Sequence, residues 1–244
     1  MKKVFADLHL CPSLKEFEQT ARLVGKAAVL GYHLIAVAFQ ASSKAEEIEK
    51  VQSICREKGV DLATRVDLKP RTPKELLGFL RRVRRRFEVV AVVCDSKNVA
   101  RQAAKDHRVD MLNFPSYDFR KRFFDIAEAE LASNASAALE IDVKPLLTLE
   151  GAARVRLLSI LRREAAIAKN FHVPIVVSSG VQNEFLMRKP RELASLTQLF
   201  DLDMAEALNA VSKTPLAIVK QNREKLSPNF VAPGIRIVRR GEDC

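Results

Sequence analysis

Asp7, His9 and Cys11 occupy alternate positions where the first apolar run of the chain, Val4 to Leu8, comes to its end. Alternate residues of an extended strand share a face. An aspartate and a histidine so placed are ligand types that a metal-dependent phosphoesterase uses, while no Cys/His spacing in the chain resembles a zinc site. Glu140 and Asp142 repeat the same spacing late in a second apolar run. Such a pair can do acid–base work, or it can hold Lys144 or nearby arginines in place, which is the reading favoured here. Ser178-Ser179-Gly180 closes a third run. A serine there is a nucleophile only with a base beside it, and no histidine lies nearby in sequence. Its hydroxyls otherwise suit helix capping or phosphate binding.

Those residues need elements to position them. Short β-branched runs alternate along the chain with helical patterns of about 10 to 20 residues, as βα units with a parallel sheet require. Strands are predicted at Val4–Leu8, Leu34–Phe39, Val60–Val66, Val89–Val93, Val109–Asn113, Ala137–Ile141 and Val173–Val177. Helices are predicted from Leu14, capped by Ser13 and Glu16, to Gly31, and from Ser43 and Glu46 to Gly59. Thr72-Pro73-Lys74-Glu75 opens a third. A long helix spans about Leu149 to Asn170. The last third reads as helices at Arg191–Phe200, Met204–Ser212 and Leu216 to about Lys225. Ile235–Val238 is either an eighth strand or an extended arm. The fold class is therefore α/β: a TIM-barrel-like parallel βα barrel of seven to eight strands with extra C-terminal helices. A doubly wound open sheet is the alternative, disfavoured because no Gly-rich loop follows the first strand. No linker divides the chain. It reads as one domain over residues 1–244, with 227–244 as a candidate extended tail.

In a βα barrel the working face lies at the C-terminal strand ends. There the pattern places Asp7 and His9, Gln40, Asp67 and Lys69, Cys94 and Asp95, Asn113, Glu140, Asp142 and Lys144, and Ser178 and Ser179. Asp7-Leu8-His9-Leu10-Cys11 resembles the Asp-x-His-x-His opening of the polymerase-and-histidinol-phosphatase (PHP) barrels, which use metal ions to hydrolyse phosphoesters. Cys11 stands where that motif has its second histidine. The other histidines, His33, His107 and His172, fall just before strands, at the opposite end. A histidine-rich metal cluster is not expected, and no catalytic or metal-ligating residue is assigned. A PHP-type phosphoesterase using Asp7 and His9 is the alternative function.

Charge points elsewhere. The 244 residues hold 41 Lys and Arg against 30 Asp and Glu, a formal net charge of +11. That excess suits a polyanionic partner. Aromatic residues are 6% with no Trp, so base stacking is not the expected main binding mode. Arg81-Arg82-Val83-Arg84-Arg85-Arg86 closes the third helix, where part of its charge complements the helix dipole. Lys69, Lys97, Arg101, Arg120, Lys121, Arg122, Lys144, Arg188, Lys189 and Arg191 all follow strand ends or open the next helices. The topology gathers them on one rim, where helix N-termini add exposed N–H donors for phosphate. Cys11, Cys55, Cys94 and Cys244 form no CxxC pair, as in a reducing cytosol. No apolar run reaches membrane-spanning length and no secretory signal pattern opens the chain. A cytoplasmic protein is the expectation.

Val173-Pro-Ile-Val-Val-Ser178-Ser179-Gly180, followed by Met187-Arg188-Lys189-Pro190-Arg191-Glu192-Leu193-Ala194-Ser195-Leu196, resembles archaeal ribonuclease P protein component 3. Members of that family carry a strand ending in Ser-Ser and then an Arg-x-Pro-Arg-Asp-like helix start. Glu192 replaces the more usual Asp. Val4-Phe5-Ala6-Asp7-Leu8, the stretch Ile141 to Leu147, Asn222-Arg223 and Pro233-Gly234-Ile235 extend the similarity over nearly the whole chain. The resemblance implies a barrel related to the PHP fold but without its metal centre. It implies a protein subunit of the ribonucleoprotein that removes the 5′ leader from precursor tRNA. Its partners would be ribonuclease P RNA, ribonuclease P protein component 2 and the other ribonuclease P proteins. The catalytic Mg²⁺ would sit on the RNA, with no cofactor on this chain. Arg101, Arg120, Lys144, Arg188, Arg191, Ser178 and Ser179 are the expected RNA contacts. A pure protein-interaction scaffold is a third possibility.

Overall fold

The structure, a computed structural model, describes residues 3–232 and 235–237. Seven parallel strands pair in chain order: β1 (Ala6–Leu10), β2 (Leu34–Phe39), β3 (Asp61–Leu68), β4 (Val89–Val93), β5 (Met111–Asn113), β6 (Ala138–Asp142) and β7 (Ile175–Ser178). The ring is nearly closed. β1 and the exit of β7 meet through Gly180 N–H to the His9 carbonyl (3.0 Å) and Cys11 N–H to the Val181 carbonyl (2.9 Å). The expected barrel is therefore present, with seven strands and no eighth in the ring among the described residues. Ile235–Arg236 (β9) pairs antiparallel with Phe230–Ala232 (β8) in a separate ribbon. Val238 lies outside the described residues.

Around the sheet run α1 (Phe17–Leu30), α2 (Ala45–Glu57), α3 (Pro73–Val83), α4 (Lys97–Ala104), α5 (Ile126–Ala135), α6 (Lys144–Thr148), α7 (Gly151–Asn170), α8 (Pro190–Leu196), α9 (Met204–Ala210) and α10 (Lys213–Leu226). Two predicted caps are corrected. Ser13 turns the chain through a bond from Glu16 N–H to its carbonyl, and α1 begins only at Phe17. The Ser43 hydroxyl accepts from Gln40 N–H, so it closes the loop after β2 and leaves α2 to start at Ala45 without a side-chain cap. The cap at Thr72 is as predicted, its hydroxyl accepting from Glu75 N–H at 3.2 Å. Gly31 ends α1 at φ 92°, a left-handed conformation that glycine adopts freely.

The two faces of the sheet differ in kind. Outward residues such as Ile35, Val37, Val90, Val92, Leu112 and Leu139 are fully buried under the helices. Inside the lower barrel, Ala6, Ala36, Ala63, Ala91 and Ala138 sit among Leu8, Leu34, Val89, Met111 and Val176. Small interior side chains suit a seven-stranded ring, because the bore narrows as strands are removed. Val219 of α10 packs against this apolar layer, with Leu216 and Ile218 beside it. Asn222 of α10 donates to Asp110 (2.8 Å), and Arg223 grips Asp61 and Glu88. The C-terminal third therefore plugs the N-terminal end of the barrel and leaves the other end to the polar residues.

Candidate functional site

Above the alanine layer, the inward positions turn polar. β3 supplies Arg65 and Asp67, β5 supplies Asn113, β6 supplies Glu140 and Asp142, and β7 supplies Ser178. Arg65 is fully buried at the centre. Its two terminal nitrogens bond both oxygens of Glu140 at 2.6 Å each, Nη1 also reaches the Leu8 carbonyl at 2.6 Å, and Nε bonds Asp67 at 2.7 Å. A planar guanidinium is built for such bidentate pairing. Asn113 donates to Glu140 and Asp142 at 2.9 Å each, and the Ser178 hydroxyl donates to Glu140 at 2.9 Å.

His9 completes the cluster. Nδ1 lies 2.8 Å from Asp142 Oδ1 and Nε2 lies 3.1 Å from Asp67 Oδ2. Burial and the Arg65 charge oppose protonation, but the two carboxylates outweigh them, and the His9 pKa is raised well above its usual value. Burial alone would push the Asp67 and Asp142 carboxyls up. The Arg65 and His9 charges reverse that and hold both below the ordinary range. Carboxylates only accept, so both His9 nitrogens donate and the ring is an imidazolium. Asp7 lies apart from this exchange. Its Oδ1 accepts from the Ser179 and His9 N–H groups, its Oδ2 has no partner, and burial raises its pKa.

Two donor sets could be ligands for a metal by distance: His9, Cys11 and Asp67, and His9, Glu140 and Asp142. Arg65 already spends its charge on Asp67 and Glu140, both His9 nitrogens face carboxylates, and a cation would have to displace these bonds. The same arrangement turns both His9 nitrogens to carboxylates and the Ser178 hydroxyl to Glu140, which Arg65 already holds. Arg65 was absent from the candidate residues read from the sequence. Its signal was there: an arginine at an inward position of an otherwise apolar strand run must be paired if that strand is interior. Of the carboxylate pair on β6, Glu140 does hold an arginine, Arg65 of β3, while Asp142 bonds His9 and Asn113. Lys144 instead bonds Gln182 at 3.0 Å.

The expected basic rim is thinner than its sequence suggests. Arg101 lies with Nη2 2.7 Å from both Asp125 oxygens and Nη1 3.0 Å from Glu128, tying α4 to α5. Arg122 is buried against Glu164 and the Phe114 carbonyl. Lys121 pairs with Asp95 at 3.3 Å. The Ser178 and Ser179 hydroxyls turn inward, the latter to the His9 carbonyl, and both residues are buried. They shape the barrel mouth and offer no surface to RNA, which corrects that expectation. Half-buried Arg188 bonds the carbonyls of Phe185 and Met187. Lys69, Arg120, Lys189 and Arg191 are exposed and make no ion pair among the described residues. Glu192, the departure from Asp, accepts from Lys189 N–H at 3.0 Å and so closes the first turn of α8. Gly180, at φ 65°, lets the chain pass over Asp142; a Cβ there would come within 2.8 Å of Asp142 Cγ.

Comparison with known proteins decides the family. Residues 4–227 match the RNase P subunit p30 family. This chain belongs to that family. Ribonuclease P protein component 3 of Methanosarcina mazei is 31% identical, over 88% of this chain and 87% of its own. The Halorubrum lacusprofundi protein of that name is 29% identical, over 91% and 93%. Among solved structures, a chain of archaeal ribonuclease P with mature tRNA superposes with a TM-score of 0.83 at 23% identity, covering 97% of this chain and all of that one. Ochratoxinase of A. niger superposes at 0.58 with 12% identity, covering 88% and 71%, a likeness of fold alone. For a member of the p30 family, the arginine-filled mouth distinguishes this barrel from one built around an open metal site. No helix among the described residues is long and apolar enough to cross a membrane.

Proposed function

We propose that this p30-family chain works as a cytoplasmic protein subunit of ribonuclease P that binds the catalytic RNA and supports removal of the 5′ leader from precursor tRNA. The observation that carries this reading is the contrast between mouth and rim. At the mouth, His9, Asp67, Glu140, Asp142 and Ser178 are committed to internal bonds. On the rim, Lys69, Arg120, Lys189 and Arg191 stand exposed on the segments after β3, β5 and β7 with no ion pair among the described residues. The chain contributes positive charge at fixed positions, neutralising phosphates so that folded RNA keeps its active form at moderate Mg²⁺. The catalytic Mg²⁺ belongs to the RNA in this reading, and ribonuclease P protein component 2 is the protein partner. Of the RNA contacts expected from sequence, Arg120 and Arg191 are the ones free to act; Lys144 reaches phosphate only by giving up its bond to Gln182, and Arg188 by giving up its bonds to the Phe185 and Met187 carbonyls.

Each phosphate contact contributes roughly 0.7 to 0.9 log units of affinity per log unit of salt. The Arg120→Ala/Arg191→Ala double variant is therefore expected to flatten the salt dependence of binding to a ribonuclease P RNA transcript by about 1.5 units. An unchanged slope rejects the rim as the RNA surface.

A further inference from the structure

At the opposite end of the barrel the C-terminal ends of α3 and α10 and the loop before β5 converge. They enclose a groove of about 700 Å³. Arg84, Arg85, His107, Arg108 and Lys225 line it, together with Phe230 at the start of β8, and no carboxylate does so among the described residues. Cations at helix C-termini offset the helix dipole, which amounts to about half a charge per helix. That accounts for little here. Arg84 is fixed by Asp110 (2.6 Å), Arg108 by Asp106 (2.7 Å), and Arg86 by the Ala41 and Ser43 carbonyls. Arg81, Arg82 and Arg85 remain exposed on the same helix end, with Lys105 and Lys225 nearby in the fold and likewise exposed. None of the five makes an ion pair among the described residues. A solvated helix end needs no such surplus, and a concave lining of one sign concentrates a polyanion.

We propose that this groove is a second RNA-binding surface, taking a ribose-phosphate stretch at the end of the barrel away from the rim. The pinned guanidiniums of Arg84 and Arg108 are pre-positioned to meet phosphate oxygens. Arg85 and Lys225 supply the uncompensated charge, and Phe230 offers an apolar surface to a ribose or a base. The proposal rests on the reading of the chain as an RNA-binding subunit, and it adds that the RNA contacts both ends of the barrel.

The test compares two double variants of the full chain in salt titrations of binding to a ribonuclease P RNA transcript. One is the groove pair, Arg85→Ala/Lys225→Ala; the other is the rim pair, Arg120→Ala/Arg191→Ala. All four side chains are exposed, so circular dichroism and thermal melting are expected to match wild type. The proposal expects the groove pair to flatten the salt slope by about 1.5 units, and the combined quadruple variant to flatten it by the sum of the two pairs. A flattened slope for the rim pair with an unchanged slope for the groove pair overturns the groove and leaves the functional reading standing. Unchanged slopes for both overturn both. Normal RNA binding by the groove pair with weakened binding to protein component 2 also overturns the proposal, because the groove would then be a protein contact.

Discussion

The chemistry of this chain turns on Arg65. A fully buried guanidinium is tolerated only because Glu140, Asp67 and the Leu8 carbonyl satisfy it. Removing one partner of such a cluster strands the others, so Arg65→Met is expected to lower unfolding stability by about 3–5 kcal/mol, measured by urea denaturation. A loss below about 1 kcal/mol would mean that the carboxylates find other partners. His9 gives the cluster a pH signature. A raised folded pKa stabilises fully below the unfolded value and is lost as pH rises through the folded value. The lowered pKa values of Asp67 and Asp142 stabilise above the usual carboxylate range and are lost as pH falls through it. The cluster is therefore strongest between the usual carboxylate range and the unfolded imidazole value of about 6.5, and it weakens from there up to the raised His9 value. His9→Gln is expected to remove the alkaline part of the fall in melting temperature and to shrink the acid limb to the part that Arg65 supports. An unchanged alkaline limb in the variant would show that His9 is neutral in the folded state.

At the scale of elements, the joint between β1 and the exit of β7 is the sensitive point. Gly180 holds a positive φ with Asp142 against its Cα, and its N–H bonds the His9 carbonyl. Gly180→Ala is expected to cost about 1–3 kcal/mol through the clash with Asp142, seen as a lowered melting temperature. Equal stability would show that the β7 exit can shift. The strands and helices were largely readable from periodicity because each has one apolar set and a Gly, Pro or capping residue at an end, as Thr72, Pro73 and Gly31 illustrate. Ser13 and Ser43 misled because a serine oxygen satisfies a loop as readily as a helix end. Ile235–Val238 stayed open between a barrel strand and an arm because a short apolar run does not say which strand it will pair with; Ile235–Arg236 pairs with β8.

For the whole molecule, net charge indicated the partner class but could not say which cations are free. Arg101 and Arg122 look like Arg120 in sequence, yet Asp125, Glu128 and Glu164 claim the first two through contacts 24 to 42 residues away. Arg65 and Glu140 lie 75 residues apart and meet only because a closed barrel brings β3 opposite β6. Such pairs follow from closure and register, which local pattern does not carry. What the pattern did carry was the placement of three of the four histidines away from the mouth, and the structure adds the two carboxylates that hold the fourth. The two ends of the molecule thus present charge while its interior consumes it.

Reconstituted cleavage of precursor tRNA tests this account most directly. Ribonuclease P RNA and protein component 2 would be assayed at limiting Mg²⁺ with wild-type chain, with folded His9→Gln, with Arg120→Ala/Arg191→Ala, and with none. The account predicts that wild type and His9→Gln raise cleavage equally, and that the arginine variant raises it less. Cleavage abolished by folded His9→Gln, or unaffected by adding the chain, would contradict it.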